Sequence, residues 1–228
     1  MVKTVTGAKM QREYVELRNG GYYVSGSRVS LASIIYDYRE GAAAETIRQN
    51  FPTLSLEQVH GAIAFYLGNR EEADVYLRNL ERKWDELEQA SIPADPELQA
   101  RIVGETGVIF RFQADADLKH AILARTLRQS PSLDFRRAET VPLEGLDDPE
   151  VLAMAAADGR VLVSDDLSTM EGHFKRFIQT RKIPGLILIP QIRVTIARAI
   201  ETLVLIAEVL DPCALENRVC LFPSLVIY

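Results

Sequence analysis

From about Val108 to the end of the chain, short apolar runs alternate with stretches of helical periodicity, and this alternation most restricts the possible fold. VIFRFQAD reads as a strand and DLKHAILARTLRQ as a helix with Leu118, Ala121 and Ile122 on its inner face. LDFRRAET is a second strand. Asp148 followed by Pro149 is the pattern of an N-cap with proline at the first helical position, opening a helix that Gly159 ends. RVLVSDD is then a buried strand, residues 169–181 a helix, GLILIP another strand, and residues 194–210 a long helix, with VCLFP as an edge strand. Such alternation implies a largely parallel sheet covered on both faces, an α/β fold.

The first half has a different rhythm and is mainly helical. GGYYVSGSRVS, with its glycines and β-branched or aromatic residues, suggests a short strand or hairpin. Ser30 caps a helix in which Leu31, Ile34, Ile35 and Tyr38 share a face, and Gly41 closes it. AETIRQNF follows and stops at Pro52. Ser55 and Gln58 then form a capping box at the head of LEQVHGAIAFYL. In the helix from about Glu71 to Glu88, Ala73, Leu77, Leu80, Trp84 and Leu87 form a heptad-like seam. That seam packs within its own domain, docks onto the other half, or makes a dimer. SIPADPE, with two prolines, marks a linker, and residues 97–107 form a short helix. The expected division is a helical domain over 1–90, a linker over 91–107 and an α/β domain over 108–228.

A net charge of −6 argues against a protein coated with nucleic acid, although a local basic patch remains compatible with it. MVKTVTGAKM lacks the apolar run of a secretory signal, and no stretch approaches the length of a membrane helix. Cys213 and Cys220 read as buried thiols of a reducing compartment, and three dispersed histidines make a Cys/His zinc site unsuitable. The expectation is a cytoplasmic protein that does not engage a membrane.

In open parallel sheets ligands bind beyond the carboxyl ends of the strands. Asp115 and Asp117 follow the first strand of the second half, and Asp165 and Asp166 follow VLVS. If the two strands are neighbours, these carboxylates converge. Crowded carboxylates repel unless a positive charge neutralises them, and a hard divalent cation such as Mg²⁺ or Mn²⁺ does so with oxygen ligands alone. Such an ion supports phosphodiester hydrolysis without histidine or cysteine. The competing reading makes Asp117 a helix cap, Asp165 a solvated loop residue and Asp148 a cap first; Glu144 and Glu150 are weaker candidates. Downstream, Lys175, Arg176, Arg181 and Lys182 could meet a nucleic-acid backbone or simply be surface charge; Arg125, Arg128, Arg136 and Arg137 are further cations of this half.

RFQADADL, DDPEVLAMAAADGRVLVSDDLSTM and GLILIP together resemble the PIN-like families of bacterial proteins found with toxin–antitoxin loci. On that pattern Asp115 matches the first acid, Asp148 opens the middle helix and Asp166 matches the later acid. Ala116 and Asp117 stand where relatives commonly have Glu and Asn, and Asp165 where they have Arg or His. The segment from Gly20 to Leu67 is similar to a VapB-like antitoxin family, with Val24, Gly26, Arg28, Val29, Gly41, Phe51, Pro52, Leu54 and Tyr66 falling in place. The resemblance implies a fusion in which a Mg- or Mn-dependent ribonuclease is held in check by an antitoxin-like module of helix-turn-helix type. Asp115 and Asp166 would be the principal ligands, aided by Asp117, Asp148 and Asp165, with inhibition exerted through the 71–88 helix or the linker. Implied partners are RNA, promoter DNA and a second copy of the chain. The rival expectation is a DNA-binding or protein-interaction regulator on an inert PIN-like scaffold. The 55–67 helix carries no Lys or Arg, which weighs against its DNA-binding form.

Overall fold

The computed structural model describes residues 13–90, 110–140, 146–190, 192–222 and 226–227. The expected linker, the helix at 97–107 and Glu144 lie outside them.

The chain begins with an antiparallel hairpin, β1 (Val15–Arg18) and β2 (Gly21–Val24). Asn19 and Gly20 connect the strands, both at positive φ (53° and 85°). That pair suits a two-residue turn whose twist matches the strands. Four helices follow: α1 (Leu31–Arg39), α2 (Ala44–Asn50), α3 (Leu56–Gly68) and α4 (Arg70–Ala90). Ser30 accepts from the Ser33 amide at the head of α1. Both bonds of the Ser55–Gln58 capping box form at the head of α3, so local chemistry sets these starts as expected.

The second half is the expected α/β layer structure. Strands β3 (Arg111–Ala114), β4 (Asp134–Arg136), β5 (Val161–Ser164), β6 (Leu186–Leu188), β7 (Val219–Leu221) and β8 (Val226–Ile227) form one sheet in the order β4-β3-β5-β6-β7-β8. The first five run parallel and β8 is antiparallel to β7. VCLFP is therefore not the edge, because the terminal Val226–Ile227 pairs outside it. The helices are α5 (His120–Gln129), α6 (Asp148–Ala157), α7 (Met170–Phe177) and α8 (Ile196–Val209).

Strand side chains alternate between two cores. Phe112, Val161, Val163, Ile187 and Cys220 meet α5 and α8 on one face. Leu162, Leu186, Leu188, Val219 and Leu221 face the other way, toward Val151 and Leu152 of α6 and Met170 and Phe174 of α7. This second core continues without a break into Leu31, Ile34, Ile35, Val59, Tyr66 and Trp84 of the first half. The helical segment is thus built onto one face of the α/β layer.

On α4, Ala73, Leu77 and Trp84 are buried and Leu80 and Leu87 packed against the same core. The seam is spent inside the chain rather than offered to a second copy. At the rim, Lys83 Nζ donates to the carbonyls of Leu167 (2.8 Å) and Ser168 (3.1 Å), and Arg193 meets Asp85 at 2.5 Å. Cys220 is buried, which pushes its thiol up to about 12, but Cys213 is exposed, contrary to expectation. No described helix is long and apolar enough to cross a membrane. Trp84→Ala is expected to cost about 3–5 kcal/mol in urea unfolding; a loss below about 1 kcal/mol would show that α4 is not anchored through this ring.

Candidate active site

Strands β3 and β5 are neighbours, with Ala114 opposite Val163, and the Asp115 amide extends the ladder by donating to Val163 O at 2.9 Å. Asp115 and Asp166 therefore leave the carboxyl ends of adjacent strands. Asp117 joins them from the loop after β3, and Asp148 from the first turn of α6. All four are buried: Asp115 is 1 %, Asp117 0 %, Asp148 6 % and Asp166 3 % exposed.

Asp148 reaches the site because it is not the cap. Asp147 is the N-cap, accepting from the Glu150 amide at 3.0 Å, while Glu150 reaches back to the Asp147 amide at 2.8 Å. Asp148 is thus the first helical residue, with its carboxylate free to turn inward. Asp117 is not a cap either, since α5 starts only at His120 and Lys119 precedes it without a side-chain cap bond. Asp165 is half-buried, in a crevice lined also by Asp166, Tyr36, Trp84 and Ile192.

The positive charge among these acids comes from the chain itself. Residues Val24–Val29 fold into a tight turn in which the Val24 amide donates to Val29 O at 2.9 Å, with Gly26 at φ 71°. The turn presents Arg28, 5 % exposed. Its Nε lies 3.1 Å from Asp115 Oδ1, its Nη2 2.7 Å from Asp148 Oδ1, and its Nη1 donates to Leu146 O at 3.1 Å. Burial works against the guanidinium charge, but the Asp115 and Asp148 carboxylates outweigh it and raise the Arg28 pKa.

Other residues of the helical segment take the other acids. The Tyr23 hydroxyl donates to Asp166 Oδ2 and contacts Thr169 Oγ1 at 2.6 Å; burial, then the Asp166 and Asp148 charges, raise its pKa. The Ser30 amide (3.0 Å) and the Ser33 hydroxyl (2.6 Å) donate to Asp117 Oδ1. Within the α/β half, Ser164 Oγ donates to Asp115 Oδ2 at 2.8 Å and Thr169 Oγ1 to Asp148 Oδ2 at 2.5 Å. A second buried ion pair crosses the junction with reversed polarity, Lys119 Nζ to Asp37 Oδ1 at 2.6 Å.

An oxygen-only donor set of this kind suits a hard cation such as Mg²⁺ or Mn²⁺ by its chemistry. In the arrangement observed, the Arg28 guanidinium stands between Asp115 and Asp148, and no described group of three or more His, Cys, Asp or Glu is disposed to hold a metal ion. Of the expected nucleic-acid-binding residues, Lys175 pairs with Glu171 and Lys182 with Glu216 at 2.9 Å. Arg181 lies over the Phe177 ring, and Arg176 meets His173. Sequence reasoning did not single out Tyr23, Ser33, Ser164, Thr169 or His173, and it used Arg28 only as a motif match.

Burial, then the Asp166 charge, push the Asp117 carboxyl up to about 8. The unfolded chain ionises it near 3.8. Between these values the folded protein holds a proton that the unfolded chain has lost, so this group makes stability fall as pH rises from about 4 to about 8. Asp117→Asn is expected to flatten that decline in urea unfolding across the same range. An identical slope in wild type and variant would contradict the assignment.

No curated protein and no solved structure matches the chain. Residues 15–66, from the hairpin through most of α3, match the family described as Protein of unknown function (DUF433), a small domain associated with antitoxin-like proteins.

Proposed function

We propose that the α/β half is a PIN-like, Mg²⁺- or Mn²⁺-dependent ribonuclease and that the helical segment is an antitoxin-like module that keeps it silent in cis. One observation carries this reading: the side chain that neutralises the acidic site, Arg28, belongs to the other half of the chain. An enzyme built from four aspartates needs a cation to bring them together, and a guanidinium placed there denies the site to a metal ion.

In the released state Asp115 and Asp166 would hold the ion, with Asp148 and Asp117 beside them. Such an ion would supply an activated water and neutralise charge on the phosphate. Ser164 fixes one oxygen of Asp115, and the Ser168 amide fixes Asp166 Oδ1 at 2.8 Å, so both carboxylates keep their aim. Lys175, Arg176, Arg181 and Lys182, on α7 and just beyond it, offer positive charge to an RNA backbone. Tethering the module puts it at an effective concentration in the millimolar range, which favours the closed form.

Regulation of promoter DNA through α2 and α3 draws less support. The exposed positions Glu57, His60, Ala64 and Leu67 of α3 carry no Lys or Arg, and Tyr23, Arg28, Ser30 and Ser33 of the segment face the acids instead.

Arg28→Gln in the full chain is the test. Leaving buried carboxylates without their partner is expected to cost about 3–5 kcal/mol. With Mn²⁺ the variant is expected to cleave single-stranded RNA at least about 100-fold faster than wild type, roughly 2.7 kcal/mol of barrier. Arg28→Gln/Asp166→Asn should lose that gain. A folded Arg28→Gln protein that cleaves no faster than wild type would overturn the proposal.

A further inference from the structure

His173 projects from the second turn of α7 into the rim of the acidic site, its side chain 10 % exposed. Its Nε2 lies 3.7 Å from Asp148 Oδ2. On the other side of the ring, Arg176 Nη2 lies 3.1 Å from Nδ1. A guanidinium only donates, so Nδ1 accepts and the ring proton sits on Nε2. Over Nε2, at 3.5 Å, lies Asn19 Nδ2; turning the amide over puts its oxygen there, in place to accept that proton. Asn19 is the exposed first residue of the β1–β2 turn, so the tip of the hairpin covers this ring while Arg28 enters the acids from the loop at its far end.

We infer that His173 and Arg176 form the phosphate-gripping pair of the acidic site, and that Asn19 occupies the position of a phosphate oxygen in the closed chain. The inference rests on the nuclease reading above and adds a substrate-positioning subsite to it. The ionised aspartates offer only acceptors and repel an RNA phosphate. Something beside them must donate to the phosphate's non-bridging oxygens. His173 Nε2–H is aimed at the site, 3.7 Å from Asp148 Oδ2, and oriented by Arg176. The module thereby blocks both halves of a nuclease site, with Arg28 at the place of the cation and Asn19 at the place of the substrate.

The experiment uses full-length Arg28→Gln protein and a fluorescent single-stranded RNA oligonucleotide, with binding read by anisotropy in Ca²⁺ and cleavage in Mn²⁺. Asn19→Ala/Arg28→Gln, which also removes the side chain over the His173 ring, serves as a second open background. Adding His173→Ala or Arg176→Ala is expected to weaken RNA binding about tenfold, the loss of one hydrogen bond to a charged group. In cleavage the loss should fall on KM with kcat little changed, and His173→Gln, which keeps an N–H donor, should recover most of the affinity. RNA binding unchanged by His173→Ala in both backgrounds would overturn the pair, as would an open protein that binds no RNA. Cleavage that is unaffected by His173→Ala would sink the pair and leave the nuclease reading standing. Binding that depends on His173 without any cleavage would do the reverse.

Discussion

The buried contact of Arg28 with Asp115 and Asp148 is the interaction on which the arrangement of the two halves turns. Parallel β3 and β5 bring Asp115 and Asp166 out side by side, and α6 adds Asp148 from its first turn. Carboxylates so crowded and dry cannot all be charged without a cation or a shared proton. The chain uses both means. Arg28 supplies the charge, and Asp117, pushed up to about 8, retains a proton near neutral pH. Removing the guanidinium would leave uncompensated charge in a buried place, which is why one side chain can fix the position of a whole segment.

The junction is more than a single plug. One core runs from Leu31, Ile34 and Trp84 to Val151, Leu162 and Met170, and buried ion pairs of opposite polarity cross it, Arg28 with Asp115 and Asp148 and Lys119 with Asp37. Apolar continuity supplies affinity without direction, whereas the reversed charges set register and orientation. Lys83 adds a grip on the loop that follows Asp166. On the proposed reading the module would act through the hairpin and the turn after it, together with α4, one of the two carriers expected from the sequence; the other, the linker, lies outside the described residues.

Much of the fold was legible because its signals are local. The Ser55–Gln58 box, the Ser30 cap and the alternation of strand and helix each involve residues a few positions apart. Failures came where a decision depended on distant residues or on a tie between neighbours. Asp147 and Asp148 can both cap a helix, and only the packing of α6 leaves Asp148 for the site. VCLFP looked like an edge until the last strand paired beyond it. Asp115, Asp117 and Asp166 could be foreseen from their places after strands, whereas Asp148 read as a cap first and entered only as a helper through the resemblance. The role of Arg28 could not be foreseen, because the sequence carries no mark joining it to an acid 87 positions away. His173 was missed for the same reason, although GGYYVSGSRVS already suggested the hairpin whose tip covers it.

The central claim is that Arg28 stands in for a divalent cation among four aspartates. Calorimetric titration with Mn²⁺ tests it most directly, comparing the full-length wild type, Arg28→Gln and Arg28→Gln/Asp115→Asn/Asp166→Asn. The wild type is expected to show no saturable binding, Arg28→Gln to bind about one ion, as a single carboxylate-lined site should, and the triple variant to lose it again. A folded Arg28→Gln protein that binds no Mn²⁺, or a wild type that binds it equally well, would contradict the claim.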